Sequence, residues 1–257
     1  MSWVVLSKRE HRHKALRREV NFSFAKQQLL VQICSFELLQ AVTSVPVVFV
    51  YEGEAMRLCG VMGLEREKNL LVNSSGQWDL KFIPAALQCF PFRLGDTKKG
   101  SKVLLFNEKS GLIVDDDDEI PLFDKSGNES EALKNCARLL LRVEKSNAFT
   151  NQICETLEQL DLFEPLNITI KKTNSSTINL EGLFKINVDK LNSLASEEFL
   201  KLRKYNALEV IYGHLFSLTC FSFLVKRMEL REKADASLKD LGTKIFEEDT
   251  QELDFNF

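Results

Sequence analysis

Residues 60–92 constrain the fold most, because two short apolar runs in this stretch flank a segment of turn-forming residues. The runs cover residues 70–72 and 78–83, and Asn73-Ser-Ser-Gly76 lies between them. A pattern of this length predicts a β-hairpin, with Gly76 in the positive φ that a tight turn requires.

Two prolines follow the predicted hairpin. Pro84 fits the first turn of a short helix, where the N–H that proline lacks is not needed. Pro91 lies between Phe90 and Phe92 and is expected to end that helix and turn the chain back toward the core. The stretch holds no recognisable catalytic or metal-binding motif, so it predicts a structure without predicting a chemistry.

Composition is that of an ordinary globular protein, since 44% of the 257 residues are hydrophobic and 28% are charged. This length allows one large domain or two small ones, each with a sizeable core. The formal net charge of −3 gives no overall attraction to nucleic acid, so nucleic acid is not the expected partner. Oligomeric state does not follow from these features.

The six cysteines lie mostly within apolar runs, and no two of them form a Cys-x-x-Cys pair. Disulfide frameworks are typical of small secreted domains, so free buried thiols in a reducing compartment are the better interpretation. The apolar run 3–6 precedes the first basic residues, which is the reverse of a signal peptide. We therefore expect a cytoplasmic protein.

The order of elements predicts an α+β fold in a single domain over residues 1–245, with any subdivision falling near 125–130. Antiparallel strands are expected in the N-terminal half, at residues 45–51, 56–64, 92–94 and 102–106. Helical periodicity predicts a helix over 130–160 with a break near 146–147. The C-terminal half then continues with a second hairpin and two short helices, at residues 166–172, 177–186, 188–194 and 196–204.

Residues 207–228 form an apolar stretch with little polar face. Its length raises the question of a transmembrane span, but Glu209 and Ser217 interrupt it and basic residues flank both ends. We expect one buried central helix and no transmembrane segment. His214, within this helix, is expected to be a hydrogen-bonded core residue.

Three segments carry concentrated charge. Residues 8–19 form a basic arm, which could bind phosphate or anionic lipid or could be a solvated entry segment. The acidic run 115–119 lacks the alternation and central glycine of a calcium loop, so a solvated loop is expected and no metal site. The acidic tail 246–257 is expected to be disordered, with a docking peptide as the alternative.

The sequence contains no nucleotide-binding loop, nucleophile elbow or zinc-protease motif, and no cofactor is predicted. A Cys–His nucleophile stays open, because such partners meet in space rather than in sequence. The candidates are Cys89 or Cys220 with His13 or His214. Cysteines within apolar runs are more often packing residues.

An ordered series of short motifs runs through nearly the whole chain except the tail. Its N-terminal members are His13-Lys-Ala-Leu16, Phe22-Ser-Phe24, Glu37, Ala41, Pro46-Val-Val-Phe49, Gly63-Leu64 and Asn69-Leu70. Its central members are Gly76-x-Trp78, Phe82-Ile-Pro-Ala85 and Phe90-Pro-Phe92. Its later members are Leu122-Phe-Asp124, Gly127, Glu164-Pro165, Gly182, Val188-Asp189 and Tyr212-x-His214-Leu215-x-Ser217.

In this series the chain resembles the SapC family, which is unrelated to the membrane permease of the same name. One departure is Gln88-Cys89, where the family usually has basic residues, and this argues against an anion site there. The resemblance implies, through gene neighbourhood, an association with surface-layer protein export. It implies no biochemical activity and carries over no catalytic residue.

Our first hypothesis is a non-catalytic accessory or binding protein in the synthesis or export of a surface-layer protein, with that protein or its secretion machinery as partner. Its candidate partner-facing residues are Trp78, Phe82, Pro84, Phe90, Phe92, Tyr212 and His214, with Glu37 and His13. Core packing of the large aromatic side chains is the alternative.

Two other functions stay open. An enzyme or peptide-modification partner would use His13, Glu37 or His214 as acid or base, and would require these residues to converge in one cleft. Binding of nucleic acid or anionic lipid through the basic arm would show an affinity that falls steeply with salt.

Overall fold

The structure, a computed structural model, describes residues 2–97, 100–116, 118–172 and 176–249, with side chains described as far as residue 237. The helices are α1 (Lys8–His11), α2 (Leu38–Ala41), α3 (Ala85–Gln88), α4 (Glu131–Gln159), α5 (Val188–Ser193), α6 (Ser196–Lys204), α7 (Ala207–Ser217) and α8 (Phe221–Asp249). The strands are β1 (Trp3–Val5), β2 (Ala15–Leu16), β3 (Leu30–Gln32), β4 (Val47–Glu52), β5 (Ala55–Val61), β6 (Phe92–Asp96), β7 (Lys102–Asn107), β8 (Ile113–Val114), β9 (Ile120–Pro121), β10 (Phe163–Pro165), β11 (Ile168–Lys171), β12 (Thr177–Leu180) and β13 (Leu183–Ile186). Strands dominate the N-terminal half and long helices the C-terminal half, so the predicted α+β class is confirmed.

The central sheet has five antiparallel strands in the order β10-β13-β4-β5-β3. β4 and β5 form its middle, and both are rich in the β-branched and apolar residues that suit a buried strand. They join through a tight turn in which Gly53 has a φ of +63°. These strands confirm the predictions at 45–51 and 56–64. β3 is the outermost strand on one side.

A second sheet has three antiparallel strands in the order β1-β7-β6. β6 and β7 confirm the strands predicted at 92–94 and 102–106. A smaller sheet places β2 between β8 and β9, which brings the N-terminal arm next to the acidic run.

Helix α4 contributes to two hydrophobic clusters. The larger cluster surrounds the central sheet and includes Ile153 and Leu157 of α4. The smaller cluster lies against the β1-β7-β6 sheet and includes Leu133 and Leu140 of the same helix. One long helix therefore borders both clusters.

α4 confirms the helix predicted over 130–160 but has no break near 146–147. The polar residues that suggested a break make tertiary contacts instead. The Ser146 hydroxyl lies 3.2 Å from that of Ser35, and Asn147 Oδ1 accepts a hydrogen bond from the Cys34 thiol at 3.1 Å. A polar pair inside a helix is compatible with continuity when its side chains find partners outside the helix.

The hairpin predicted over 70–83 is reduced to one isolated β-bridge across its turn, although Gly76 does adopt a positive φ of +83°. Two carbonyl groups in this segment accept hydrogen bonds from side chains of α8, which is distant in sequence. The Arg227 side chain donates to the carbonyl of Leu70 at 2.7 Å, and the Arg231 side chain donates to that of Val72 at 2.8 Å. A local pattern could not predict partners more than 150 residues away.

Other predicted bounds shift by small amounts. α3 begins at Ala85, so Pro84 is the residue that precedes the helix rather than part of its first turn. β11 and β12 form a shorter second hairpin, and β13 joins the central sheet instead. α5 and α6 confirm the two short helices. The hairpin loop 173–175 and the tail residues 250–257 lie outside the described residues.

The apolar stretch at 207–228 forms α7, a 3₁₀ turn and the start of α8, so the expectation of one buried central helix is corrected. α7 buries one face against the rest of the fold and leaves the opposite face exposed. Val210 and Ile211 are buried, whereas Tyr212 is 44% exposed and Phe216 is 70% exposed.

Among the described residues, one stretch, Ala207–Ser237, is long and apolar enough to cross a membrane by length and composition. Of its most apolar window, 28% is buried. A single helix of this kind is weak evidence for a span, because core helices of soluble proteins pass the same test.

Candidate functional site

His214 lies in the core and attaches α7 to the central sheet. Its Nδ1 donates to the carbonyl of Val47 at 2.6 Å, and its Nε2 accepts the amide hydrogen of Ile186 at 3.2 Å, which assigns the proton to Nδ1. Burial lowers the pKa of His214 to about 4. Both ring nitrogens are bonded to backbone, so this imidazole supports the fold, as a core histidine is expected to do.

Glu37 is also buried, and its carboxylate joins two elements. One oxygen accepts the amide hydrogen of Cys34 at 2.9 Å and the other accepts that of Ala85 at 2.7 Å. Burial raises the pKa of Glu37, while these two hydrogen bonds act in the opposite direction. The carboxylate holds α3 against the 3₁₀ turn Ser35–Glu37 and is therefore a positioning residue.

The basic arm and the acidic run contact each other. His13 Nε2 and Lys14 Nζ lie 3.1 Å and 2.8 Å from the carboxylate of Asp115. The backbone amide of Arg18 donates to the carboxylate of Glu119 at 2.7 Å. These two charged segments partly neutralise each other, with Asp117 of the acidic run outside the described residues.

The cysteine candidates are placed in apolar surroundings. Cys89 is buried, and the Cys220 sulfur lies 3.4 Å from the carbonyl oxygen of Val42. Burial raises the pKa of Cys89 to about 12 and also raises that of Cys220, so both are thiols at neutral pH. In the part of the chain that the structure describes, neither is hydrogen-bonded to a histidine, and no group of three or more metal-ligating side chains is found.

The aromatic residues predicted to face a partner are divided between the core and one surface groove. The Trp78 indole N–H donates to the carbonyl of Phe82 at 2.8 Å, and Phe82 and Pro84 are buried. Phe82 belongs to the larger cluster and Trp78 packs against it. Phe90 and Phe92 instead line a groove to which α3 also contributes, and Phe92 is at the same time a buried member of the smaller cluster.

This groove, which we call the edge groove, has a volume of about 350 Å³ and lies along β3. The lining residues that matter here are Trp3, Phe24, Leu30, Gln32, Phe90 and Arg93. The rings of Phe24 and Phe90 stack with their centroids 3.9 Å apart and form an aromatic wall. α3, held by Glu37, contributes another part of the lining. A concave site with aromatic walls and a few polar groups is the usual form of a binding site.

β3 contributes an unpaired strand edge to the groove. On its inner side, the Ile33 amide donates to Leu58 at 2.9 Å, and the Leu29 carbonyl accepts from Met62 at 2.7 Å. Main-chain groups alternate in direction along an antiparallel strand, so those of the intervening residues 30 and 32 point away from β5. No residue in the described part of the chain bonds to these outward groups.

Arg93 adds a positive charge at the rim of the groove. Its side chain is exposed, and its guanidinium lies over the ring of Trp3 at 4.2 Å from the centroid. The acidic residue of the same strand, Asp96, pairs with Lys102 at 2.8 Å. Among the described residues, no carboxylate forms an ion pair with Arg93.

The predicted site residues do not converge at one place. Phe90 and Phe92 line the edge groove, Tyr212 lies on the exposed face of α7, and His13, Glu37 and His214 each have separate partners. Sequence reasoning missed Trp3, Leu30, Gln32 and Arg93. Phe24 belongs to the motif series, so the sequence offered a signal for it. The free edge of β3 had no such signal, because it depends on sheet order and not on local pattern.

Comparison with known protein families identifies a match over most of the chain. The sequence model of a family described as SapC matches residues 6–224 of the chain. No curated protein and no solved structure matches the chain.

Proposed function

The chain belongs to the SapC family, and from this membership we propose that it is a non-catalytic accessory protein that binds a protein partner during synthesis or export of a surface-layer protein. The partner is the surface-layer protein itself or a component of its secretion machinery. Binding takes place in the cytoplasm, before the exported protein leaves the cell.

The edge groove is the observation that carries this proposal. It combines an aromatic concavity with outward main-chain groups, and this combination suits recognition of another polypeptide. Phe24 and Phe90 form its wall and also belong to the motif series that the chain has in common with the family. The groove is therefore built in part from residues of the series in which the chain resembles the family.

The state of the acid–base candidates favours binding over catalysis. The imidazole of His214 and the carboxylate of Glu37 are each hydrogen-bonded to two backbone groups inside the core. His13 is at the surface, where it pairs with Asp115. A general acid or base must reach the proton that it transfers, and these three side chains are committed to different structural contacts.

A deletion strain of the native bacterium tests the proposal. Loss of the gene is expected to lower the amount of surface-layer protein at the cell surface and to raise the share retained inside, measured by quantitative immunoblot of cell fractions. The wild-type gene should restore export. An unchanged surface layer in the deletion strain would overturn the proposed function.

Two leucine variants then test the groove. Leu30→Asp, at the groove, should fail to restore export, whereas Leu39→Asp, at an exposed position on α2 outside the groove lining, should restore it. Restoration by both variants would show that the deletion phenotype does not depend on the edge groove.

A further inference from the structure

We infer that the partner binds as an extended segment that adds a strand to the outer edge of β3, with an apolar side chain in the edge groove and a carboxylate against Arg93. This inference rests on the proposed function and specifies the form of the partner. The occupant is a segment of another polypeptide in which apolar residues alternate with polar ones, including an acidic residue.

The main chain of β3 is open to strand pairing. Leu30 and Gln32 direct their N–H and C=O groups outward, which is the arrangement that an incoming strand requires. Natural proteins commonly protect an edge strand with charged residues, proline or a covering element. β3 has the sequence Leu-Val-Gln, which contains no charge and no proline. The edge therefore lacks these side-chain protections, and its length of three residues limits the pairing to a short segment.

The side chains next to this edge select for an apolar residue. Leu30 is 39% exposed at the groove, and the stacked rings of Phe24 and Phe90 form its aromatic wall. Successive side chains of a strand point to opposite faces, so every second residue of the incoming segment would face the groove. Alternation of apolar and polar residues in the partner follows from this geometry.

Arg93 adds a requirement for negative charge. Stacking on Trp3 restricts where the guanidinium can lie. The planar group can then donate two parallel hydrogen bonds to one carboxylate. Arg93 has no ion-pair partner among the described residues, so the pairing would not displace an existing one. An acidic residue at the end of the added strand would form an ion pair with Arg93.

Selection from a phage-displayed library of random dodecapeptides tests the inference without assuming the identity of the partner. The full-length protein should enrich peptides with alternating apolar residues and at least one Asp or Glu. For the best synthetic peptide, Arg93→Glu and Leu30→Asp should each weaken binding by about tenfold or more, as expected for central contacts. Leu39→Asp should bind like the wild type, and thermal melting should show that all three variants are folded.

Two further measurements test the main-chain contact itself. Saturating peptide should slow amide hydrogen exchange at Leu30 and Gln32, whose N–H groups point outward. Gln32→Pro removes one outward N–H without removing a bond to β5, so it should also weaken binding. Peptides that bind without protecting these amides, or selection of peptides that do not depend on Leu30 and Arg93, would overturn the inference.

Two rival occupants give distinct results. If the amides of Leu30 and Gln32 are already protected in the free protein and deletion of residues 250–257 exposes them, the chain's own C-terminus occupies the edge. If their protection rises with protein concentration, a second copy occupies it. Either result would overturn the assignment to another polypeptide, whereas failure of the proposed function alone would leave peptide binding to the purified protein intact.

Discussion

Nδ1 of His214 lies 2.6 Å from the carbonyl oxygen of Val47, at the first residue of β4. The hydroxyl of Ser217, one turn further along α7, accepts the amide hydrogen of the same valine at 2.8 Å. Two side chains of one helix therefore satisfy both main-chain polar groups of a fully buried residue. His214 and Ser217, two members of the last motif noted in the sequence, have a structural explanation in this contact.

Ser217→Ala is expected to lower the free energy of unfolding by about 1–3 kcal/mol, because it leaves the buried amide of Val47 without an acceptor. Urea unfolding followed by circular dichroism measures the change. Ser222→Ala is the matched control, since Ser222 is exposed on α8 and its hydroxyl donates to the carbonyl of Thr219 in the preceding turn. Equal stability of the two variants would contradict the role given to Ser217.

Burial of His214 should make the free energy of unfolding depend on pH. Its pKa is lowered from 6.5 to about 4 in the fold, so the unfolded chain binds a proton that the folded chain does not. Its contribution is fully present above pH 6.5, is lost as the pH falls toward 4, and amounts to about 3 kcal/mol over that range.

The measurement is urea unfolding at several pH values between about 7.5 and about 4, compared with His214→Asn. The variant should be less stable at neutral pH and should lose less stability on acidification than the wild type does. Parallel pH profiles for the two proteins would argue against a buried neutral imidazole.

Glu37→Gln should lower the free energy of unfolding by about 1–3 kcal/mol, because one of two backbone amides then meets an NH₂ group instead of an oxygen. Since Glu37 holds α3 beside the edge groove, the variant should also bind a groove peptide more weakly. Glu54→Gln, at an exposed position, is the control. A variant with unchanged stability and binding would show that this carboxylate is not needed to position α3.

Arg231→Met is expected to destabilise the fold by about 1–3 kcal/mol, because two carbonyl groups on buried residues lose their donor. The side chain donates to Asn69 at 3.1 Å and to Val72 at 2.8 Å. Lys226→Met, on the exposed face of the same helix, should have little effect in the same urea titration. The reverse order of stabilities would mean that α8 does not anchor this segment.

The contact between the charged segments predicts weak binding of DNA. The wild type should bind a labelled duplex of about 20 base pairs poorly at low salt, because Asp115 and Glu119 compete for the arm. Asp115→Asn with Glu119→Gln should bind more tightly and with a steeper salt dependence, measured by fluorescence anisotropy. Stability should change by less than about 1 kcal/mol, since these pairs are exposed. Tight, salt-sensitive binding by the wild type would instead support the basic arm as a nucleic-acid site.

Local sequence patterns predicted much of the fold. The strand at 45–51 is a β-branched, almost wholly apolar run that leads through a turn to the strand at 56–64, and the helix at 130–160 has apolar residues at helical period. The prediction failed where a distant group decides the outcome. Residues 70–72 have the composition of a strand, but carbonyls of this segment are bonded by Arg227 and Arg231.

The candidate site was less predictable than the fold. The predicted aromatic residues were expected to share a surface, yet Trp78 and Phe82 pack with the larger cluster. Phe90 borders the edge groove, and Phe92 lines it from the buried side as a member of the smaller cluster. Leu30 and Gln32 matter because β3 ends a sheet, and the order of strands is a property of the whole fold. The basic run at 8–19 left a phosphate or lipid ligand open and the acidic run at 115–119 was expected to be a solvated loop, and the structure shows that the two runs contact each other.

Helix α4 has a consequence for how the molecule can be divided. Its first half completes the smaller cluster through Leu133 and Leu140, and its second half completes the larger one through Ile153 and Leu157. A fragment cut near 125–130 would thus expose apolar surface in both clusters at once. Melting that starts in either cluster reaches the other through the shared helix, so the two should be lost in a single cooperative transition, and neither half is expected to persist when expressed alone.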